Sequence, residues 1–428
     1  MTPHSPPGFI ELFRVFARIG VLSFGGPAAQ IALMHKELVE DRAWLSEEMF
    51  LRALSFCMLL PGPEAMQLAT YAGWKLRGSW AGLLAGLLFV LPGAFIIAVL
   101  VGVYVAFGTV DGVQAGFLGI KAAVIAIVLQ ALMRLSQKTL KLKSDWALAL
   151  LAFVALFAFQ VPFPVVVLIA ALWGGLSARS DKSAQVNPAT SALGESFRAV
   201  AIWLPLWVLP LVFLSLAGQE FLATIGWFFA RLAVVSFGGA YAVLAYMTQT
   251  VVQTHGWVST AQMIDALGLA ETTPGPLILV TQFVAMLAGY LNNGFGSAIA
   301  AGTVALWATF IPCFLWIFAF APQLEAIMSR PLLAAALKAI TAAVVGVIAN
   351  LSVWFAMHVL FNESNILDIG VLRFPVPDLL TINPHALLLT SLAFLACFRF
   401  KLRLELVLLG SALCGWLIFS LGPEMTSI

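Results

Sequence analysis

Charge is what this 428-residue sequence has least of: Asp, Glu, Lys and Arg together make up 10% of it, against ~25% in an ordinary soluble domain. So few ionic groups cannot cover a water-facing surface, which excludes a soluble enzyme or binding module. The net charge is only +2, and no basic cluster carries interleaved aromatics, so nucleic acid is not an expected partner. Four cysteines (Cys57, Cys313, Cys397, Cys414) stand apart in apolar sequence without C-x-x-C spacing. They read as small buried side chains, not as a disulfide frame or metal knuckle. The histidines His4, His35, His255, His358 and His385 are scattered. No H-E-x-x-H, Walker loop, G-x-S-x-G or dinucleotide fingerprint occurs. Neither a cofactor, a metal nor an enzymatic activity is therefore expected, and residues 1–8 do not read as a cleavable leader.

What the chain has in abundance is hydrophobic residue, 62% of the total. Apolar stretches of about 20 residues recur, the length that crosses ~30 Å of hydrocarbon. Short alternating segments of a barrel do not. The expected fold class is an all-α polytopic membrane protein lying in the lipid bilayer. A first element runs from about Phe9 to Met34, through Gly25-Gly26. A second runs from about Phe50 to Trp74 and is cut by Pro61-Gly62-Pro63. Apolar runs follow near 80–106, 112–133, 146–160 and 162–178. After a polar linker, Arg179 to Glu195, a bridging span lies near 199–217. The second half then gives elements near 222–247, 262–290, 297–320, 332–360, 385–398 and 404–421.

One pattern occurs twice. Arg18, Ser23-Phe24-Gly25-Gly26, Trp44 and Pro61-Gly62-Pro63 return as Arg231, Ser236-Phe237-Gly238-Gly239, Trp257 and Pro274-Gly275-Pro276, each 213 positions later. Pro92 matches Pro312, and Ala122-Ala123-Val124 matches Ala342-Ala343-Val344, at an offset of 220. Such a duplication with paired helix breaks is the outline of a membrane transporter. Loop charge sets relative orientation, since Lys and Arg favour cytoplasmic loops. Loop 134–145 carries Arg134, Lys138, Lys141 and Lys143; its counterpart, 361–384, carries Glu363, Asp368 and Asp378 against Arg373. The uncharged turn 160–164 corresponds to one holding Arg399, Lys401 and Arg403. The expectation is two inverted-topology repeats of about six spans each, with discontinuous helices, joined by a linker span. That gives roughly 13 spans, or about 11 if the two short runs do not cross. The expected domains are 9–178, a linker with its bridging span at 179–217, and 218–428.

The breaks carry the chemistry. Proline removes an N–H and clashes inside a helix, and a mid-membrane break is tolerated where it is buried in protein or lines a wet cavity. Pro63 and Pro276 suit the first position of a new half-helix, whose N-terminal N–H groups favour an anion. Gly25, Gly26, Gly238 and Gly239, after Ser23 and Ser236, allow close backbone approach and an N–H nest. The same breaks also suit plain packing kinks between small residues. Arg18 and Arg231 each precede the Ser-Phe-Gly-Gly run by five residues, and guanidiniums in membrane spans mark pathways or buried pairs. Glu64 and Glu271 flank the Pro-Gly-Pro breaks and are the proton-coupling candidates; their repeat equivalents, Leu277 and Met58, carry no carboxylate. Gln30, Gln67, Thr272, Thr273 and Gln282 could bind an oxyanion or glue helices. Lys121, Lys338 and Asp265 read as paired or snorkelling charges.

These residues resemble the chromate ion transporter (CHR) family in its long, two-domain form. The likeness rests on Arg18 with Ser23 to Pro27, Gln30, Trp44, Leu60 to Glu64, Gln67, Gly73 and Leu91-Pro92-Gly93. In the second half it rests on Phe237 to Gly239 and Ala270 to Pro276. It departs at Ala240, where the first half has Pro27. The resemblance implies export of chromate across the bacterial inner membrane, driven by the proton motive force and conferring chromate resistance. Chromate, its tetrahedral relative sulfate, and protons are the implied partners, and a homodimer stays open. Rival expectations are a sulfate or other oxyanion transporter, an anion channel, and an intramembrane enzyme acting on a lipid phosphate.

Overall fold

The computed structural model describes residues 7–24, 26–177, 190–237, 240–324, 331–370 and 372–421. Gly25, Gly238, Gly239, Ala178 and residues 179–189 of the expected linker lie outside the described residues.

The protein is an all-α polytopic membrane protein with one small β-hairpin. The first half contains α1 (Phe9–Leu22), α2 (Gly26–His35), α3 (Glu47–Cys57), α4 (Glu64–Phe107), α5 (Asp111–Thr139), α6 (Lys143–Phe157) and α7 (Phe163–Ser177). The helix α8 (Thr190–Leu216) follows. The second half repeats the order with α9 (Glu220–Val235), α10 (Ala240–Gln249), α11 (Thr260–Glu271), α12 (Val280–Phe320) and α13 (Pro331–Leu360). It closes with strands β1 (Ser364–Ile369) and β2 (Leu372–Pro377), then α14 (Pro384–Phe394) and α15 (Leu404–Leu421). Among the described residues six helices are long and apolar enough to cross a membrane.

Two of those six are folded back on themselves. In α4 the backbone leaves helical geometry at Arg77 (φ −148°, ψ 29°) and Gly78 (φ 76°, ψ −169°). In α12 it does so at Asn293 (φ −156°, ψ 43°) and Gly294 (φ 70°, ψ −164°). A Cβ on Gly86 would collide with the Thr70 hydroxyl, although 16 residues of straight helix would hold them about 24 Å apart. A Cβ on Gly289 would likewise lie 2.5 Å from Ser297 O. The chain therefore reverses at each kink, and glycine supplies the positive φ that the reversal needs. Helical arms 64–76 and 79–107 correspond to arms 280–292 and 295–320.

The chain forms two compact units, each drawing segments from both halves. The first holds residues 1–99, 175–243 and 273–337; the second holds 100–174, 244–272 and 338–428. In the first unit α12 packs against α8 and α9. Two indoles stitch α8 to α12: Trp207 Nε1 donates to Ala308 O at 3.0 Å, and Trp307 Nε1 donates to Leu206 O at 3.1 Å. In the second unit α15 lies along α5. Gly119 faces the Ser411 backbone and Gly415 the Ala115 backbone, the small-residue contact that lets membrane helices approach closely.

The β-hairpin falls in the stretch that charge patterning reads as a plain loop. Its strands pair antiparallel from Ser364 with Pro377 to Ile369 with Leu372. The sequence signal is weak but present: two short runs rich in Ile, Leu, Phe and Val meet at Gly370.

Candidate functional site

The two breaks of each half meet, in exchange, inside the first unit. Helix α1 ends at Ser23 (φ −81°, ψ 60°) and α9 ends at Ser236 (φ −78°, ψ 53°). Each serine hydroxyl turns back onto its own helix: Ser23 Oγ donates to Gly20 O at 2.8 Å, and Ser236 Oγ donates to Ala233 O at 2.7 Å. Each serine carbonyl is then taken by the Pro-Gly-Pro of the other half. Gly62 N–H donates to Ser236 O at 3.1 Å, and Gly275 N–H donates to Ser23 O at 3.0 Å. The motifs lie about 170 to 250 positions apart in sequence, yet they bond reciprocally. Gly62 (φ 119°) and Gly275 (φ 87°) hold backbone conformations that favour glycine.

Packing repeats the exchange. A Cβ on Gly62 would lie 2.9 Å from Cys313 Sγ. A Cβ on Gly93, whose repeat position at the 220 offset is Cys313, would collide with Pro274 O. Each Pro-Gly-Pro thus lies against the second arm, beyond the reversal, of the folded-back helix in the opposite half.

Side chains break the symmetry. Gln30, buried, donates through Nε2 to Gly275 O at 2.7 Å and to Ser23 O at 3.1 Å. Its equivalent, 213 positions on, is Val243. Gln67, also buried, donates to Pro61 O at 2.7 Å, and Gln282 donates to Ala94 O at 2.9 Å. The side-chain oxygens of Gln67 and Gln282 are buried without a partner among the described residues. A buried lone acceptor is unfavourable unless a donor such as water reaches it. Polar, unfilled hydrogen-bonding capacity therefore sits beside both Pro-Gly-Pro breaks. Gln30→Leu leaves Gly275 O short of its donor, and a loss of about 2 kcal/mol is expected. Thermal melting of the purified variant checks this.

The remaining predicted residues divide between the units. Pro63, Glu64, Thr273 and Pro276 belong to the first, with Glu64 half-buried as the first residue of α4. Glu271 and Thr272, at the end of α11, belong to the second; Thr272 Oγ1 donates to Leu269 O at 2.7 Å. Gly26 opens α2. Arg231 is exposed, and its Nε donates to Trp227 O at 3.2 Å. Arg18 is 61% exposed in its side chain, with Nε 3.4 Å from Oε1 of Glu37, which is only 3% exposed. Arg42 binds the other oxygen of Glu37. Glu37 is not among the predicted site residues; its position just after the first broken element is the signal that could have found it. The equivalent of Glu37, at the 213 offset, is Thr250.

Beside this cluster, outside the apolar spans, His35 faces two carboxylates. Its Nε2 lies 2.6 Å from Glu47 Oε2 and its Nδ1 lies 3.1 Å from Glu40 Oε1. The Glu47 hydrogen bond raises its pKa above the ordinary value, against the opposing effect of burial. A raised folded-state pKa stabilises the fold fully below the unfolded value of about 6.5 and no longer does so once pH exceeds the folded value. The stability advantage over His35→Gln should therefore be present at mildly acidic pH and vanish in alkaline buffer, as melting curves across that range would record.

Three charged or phenolic groups meet in the second unit. Lys121 Nζ on α5 lies 3.2 Å from Asp265 Oδ1 on α11, with side chains 17% and 3% exposed. Tyr104 OH donates to Asp265 Oδ2 at 2.7 Å. Lys338 Nζ lies 3.7 Å from Asp145 Oδ2, which also caps α6 by accepting from Leu142 N–H. The expectation that these charges are paired is met for all three. Among the described residues no group of His, Cys, Asp and Glu could hold a metal ion.

Discontinuous helices, bonded in exchange within a polytopic helical membrane protein, define a broken-helix membrane protein of the kind that transporters use. The family model described as Chromate transporter matches residues 10–175 and 223–416, and the chain belongs to that family. It is similar to the chromate transport protein of Pseudomonas aeruginosa, 32% identical over 97% of this chain and 93% of that protein. It is 30% identical to the chromate transport protein of Cupriavidus metallidurans, over 98% of this chain and 96% of that protein. A probable chromate transport protein of Synechococcus elongatus is 32% identical over 79% of this chain and 82% of its own length. No solved structure matches.

Proposed function

We propose that the protein carries chromate outward across the bacterial inner membrane, lowering the cell's chromate load. The observation that carries this reading is the reciprocal bonding of Gly62 to Ser236 and Gly275 to Ser23, in a chain of the chromate transporter family. Paired broken helices related by a pseudo-two-fold exchange support inverted repeats that rock about a fixed site. The site comprises the two breaks with Gln30, Gln67 and Thr273, and Arg231 supplies charge from α9. Arg18 contributes through its pairing with Glu37.

The driving force follows from the charge of the cargo. One elementary charge crossing 100 mV gains about 2.3 kcal/mol. A dianion leaving a negative interior therefore gains about 4.6 kcal/mol per 100 mV. The electrical part of the proton motive force is enough to drive export. Glu64 and Glu271, the carboxylates that flank the two Pro-Gly-Pro breaks, are where proton exchange would add to it.

Everted membrane vesicles test direction and drive together. Energised vesicles holding the protein should accumulate chromate in their lumen, and valinomycin with potassium should abolish the accumulation. Nigericin, which collapses only the pH gradient, should reduce it if the glutamates exchange protons. Accumulation no greater than in vesicles lacking the protein would refute export.

A further inference from the structure

A cavity of about 230 Å³ opens in the second compact unit. Its walls are the end of α6 with the turn before α7, the C-terminal part of α10, and α13. The β-hairpin contributes Ser364 and Pro375 to its lining. That hairpin is fixed in place: Arg373 N–H donates to Ala158 O at 2.8 Å, and Phe374 stacks on Phe157 with ring centroids 6.0 Å apart.

The polar lining includes Gln160, Thr248, Gln249, Gln253, Asn350, His358 and Ser364, and among the described residues no Asp, Glu, Lys or Arg lines the cavity. Thr248 is 4% exposed, and its hydroxyl has no partner among the described residues. Satisfied hydroxyls are the rule in buried positions, so this one marks a place for a ligand or water. His358 Nδ1 lies 2.8 Å from Trp354 O. A carbonyl only accepts, so that nitrogen carries the proton and the ring is held in one orientation.

The lining selects the ligand. A hard metal cation needs carboxylates, which are absent. A lipid tail would strip water from a hydroxyl and several amides without replacing their hydrogen bonds. An oxyanion suits amide N–H and hydroxyl donors, and hydrogen bonds to an ionised acceptor are the strong ones. Without a fixed cation the anion can also leave again, as a conducting path requires. A tetrahedral oxyanion fits within a cavity of this volume. The rest has room for retained water.

We propose that this cavity is a second anion site, holding a partly hydrated tetrahedral oxyanion of the chromate and sulfate class through neutral amide and hydroxyl donors. Its role as a staging point rests on the transport reading above. The test is chromate binding to the purified full-length protein by calorimetry, beside chromate flux in liposomes. Asn350→Leu and Gln249→Leu should each weaken binding tenfold or more and raise the KM for flux to match, with melting curves verifying the fold. Where Asn350→Leu fails to fold, Gln253→Leu at the exposed rim takes its place with the same expectation. Folded variants that bind chromate like the wild type, with KM unchanged, overturn the site and leave the transport reading intact. Wild-type binding that the variants remove, without wild-type flux, upholds the site and refutes transport. Neither binding nor flux in the wild type overturns both.

Discussion

Asp265→Ala is expected to lower stability by about 3–5 kcal/mol, the usual consequence of leaving one buried charge without its partner. Lys121 would keep its ammonium in an apolar surrounding, and Tyr104 would lose the acceptor that it reaches at 2.7 Å. Replacing a buried ion pair by apolar residues of similar volume is often neutral or stabilising, so Asp265→Leu with Lys121→Leu should recover most of the loss. Thermal melting of the wild type, the single variant and the double variant gives the comparison. A double variant as unstable as the single would mean that the pair is not what Asp265 provides. A stable double variant that carries no chromate would add a transport role to the pair.

Gly93→Leu is the second large effect. Its Cβ would collide with the carbonyl of Pro274 and lie 2.6 Å from Leu279 Cδ1. A backbone oxygen cannot rotate away as a side chain can. The expected cost is about 3 kcal/mol, the upper end of the overpacking range, together with loss of chromate flux. Leu91→Ala, two residues earlier on an exposed face, is the control and should melt within about 0.5 kcal/mol of the wild type. A Gly93→Leu protein that melts and transports normally would mean that the second Pro-Gly-Pro does not need this close approach.

How much of this could be read from the chain depends on the range of the interaction. Proline and glycine act locally, so Pro61-Gly62-Pro63 and Pro274-Gly275-Pro276 announce their breaks wherever they occur. Apolar run length placed the major helices close to their observed bounds, including the boundary near residue 78 where α4 reverses. The equal spacing of the two copies suggested a duplication with paired breaks. It could not say that Gly62 would choose the serine of the other half over its own. That choice is set by helix packing across about 170 residues, which no local propensity encodes.

Charges illustrate the same limit. A lone arginine in an apolar run signals an unmet electrostatic need but not its partner. Arg18 found Glu37, which lies 19 positions away. Lys121 and Asp265 found each other across 144 positions. Gln30 was marked as an oxyanion ligand or helix glue, and in the structure both of its contacts are to backbone carbonyls at the breaks. The β-hairpin went unread because its two apolar runs are short, Pro375 and Pro377 interrupt the second, and only Gly370 marks the turn between them.

The most direct test of the account is chromate movement by the purified protein in liposomes under an imposed potassium diffusion potential. Chromate is expected to move toward the positive side, faster as the potential grows. Gln30→Leu, which loosens the bonded breaks, should cut the rate at least tenfold while the protein stays folded. Chromate movement no faster than in protein-free liposomes, at any potential, would contradict transport by this protein.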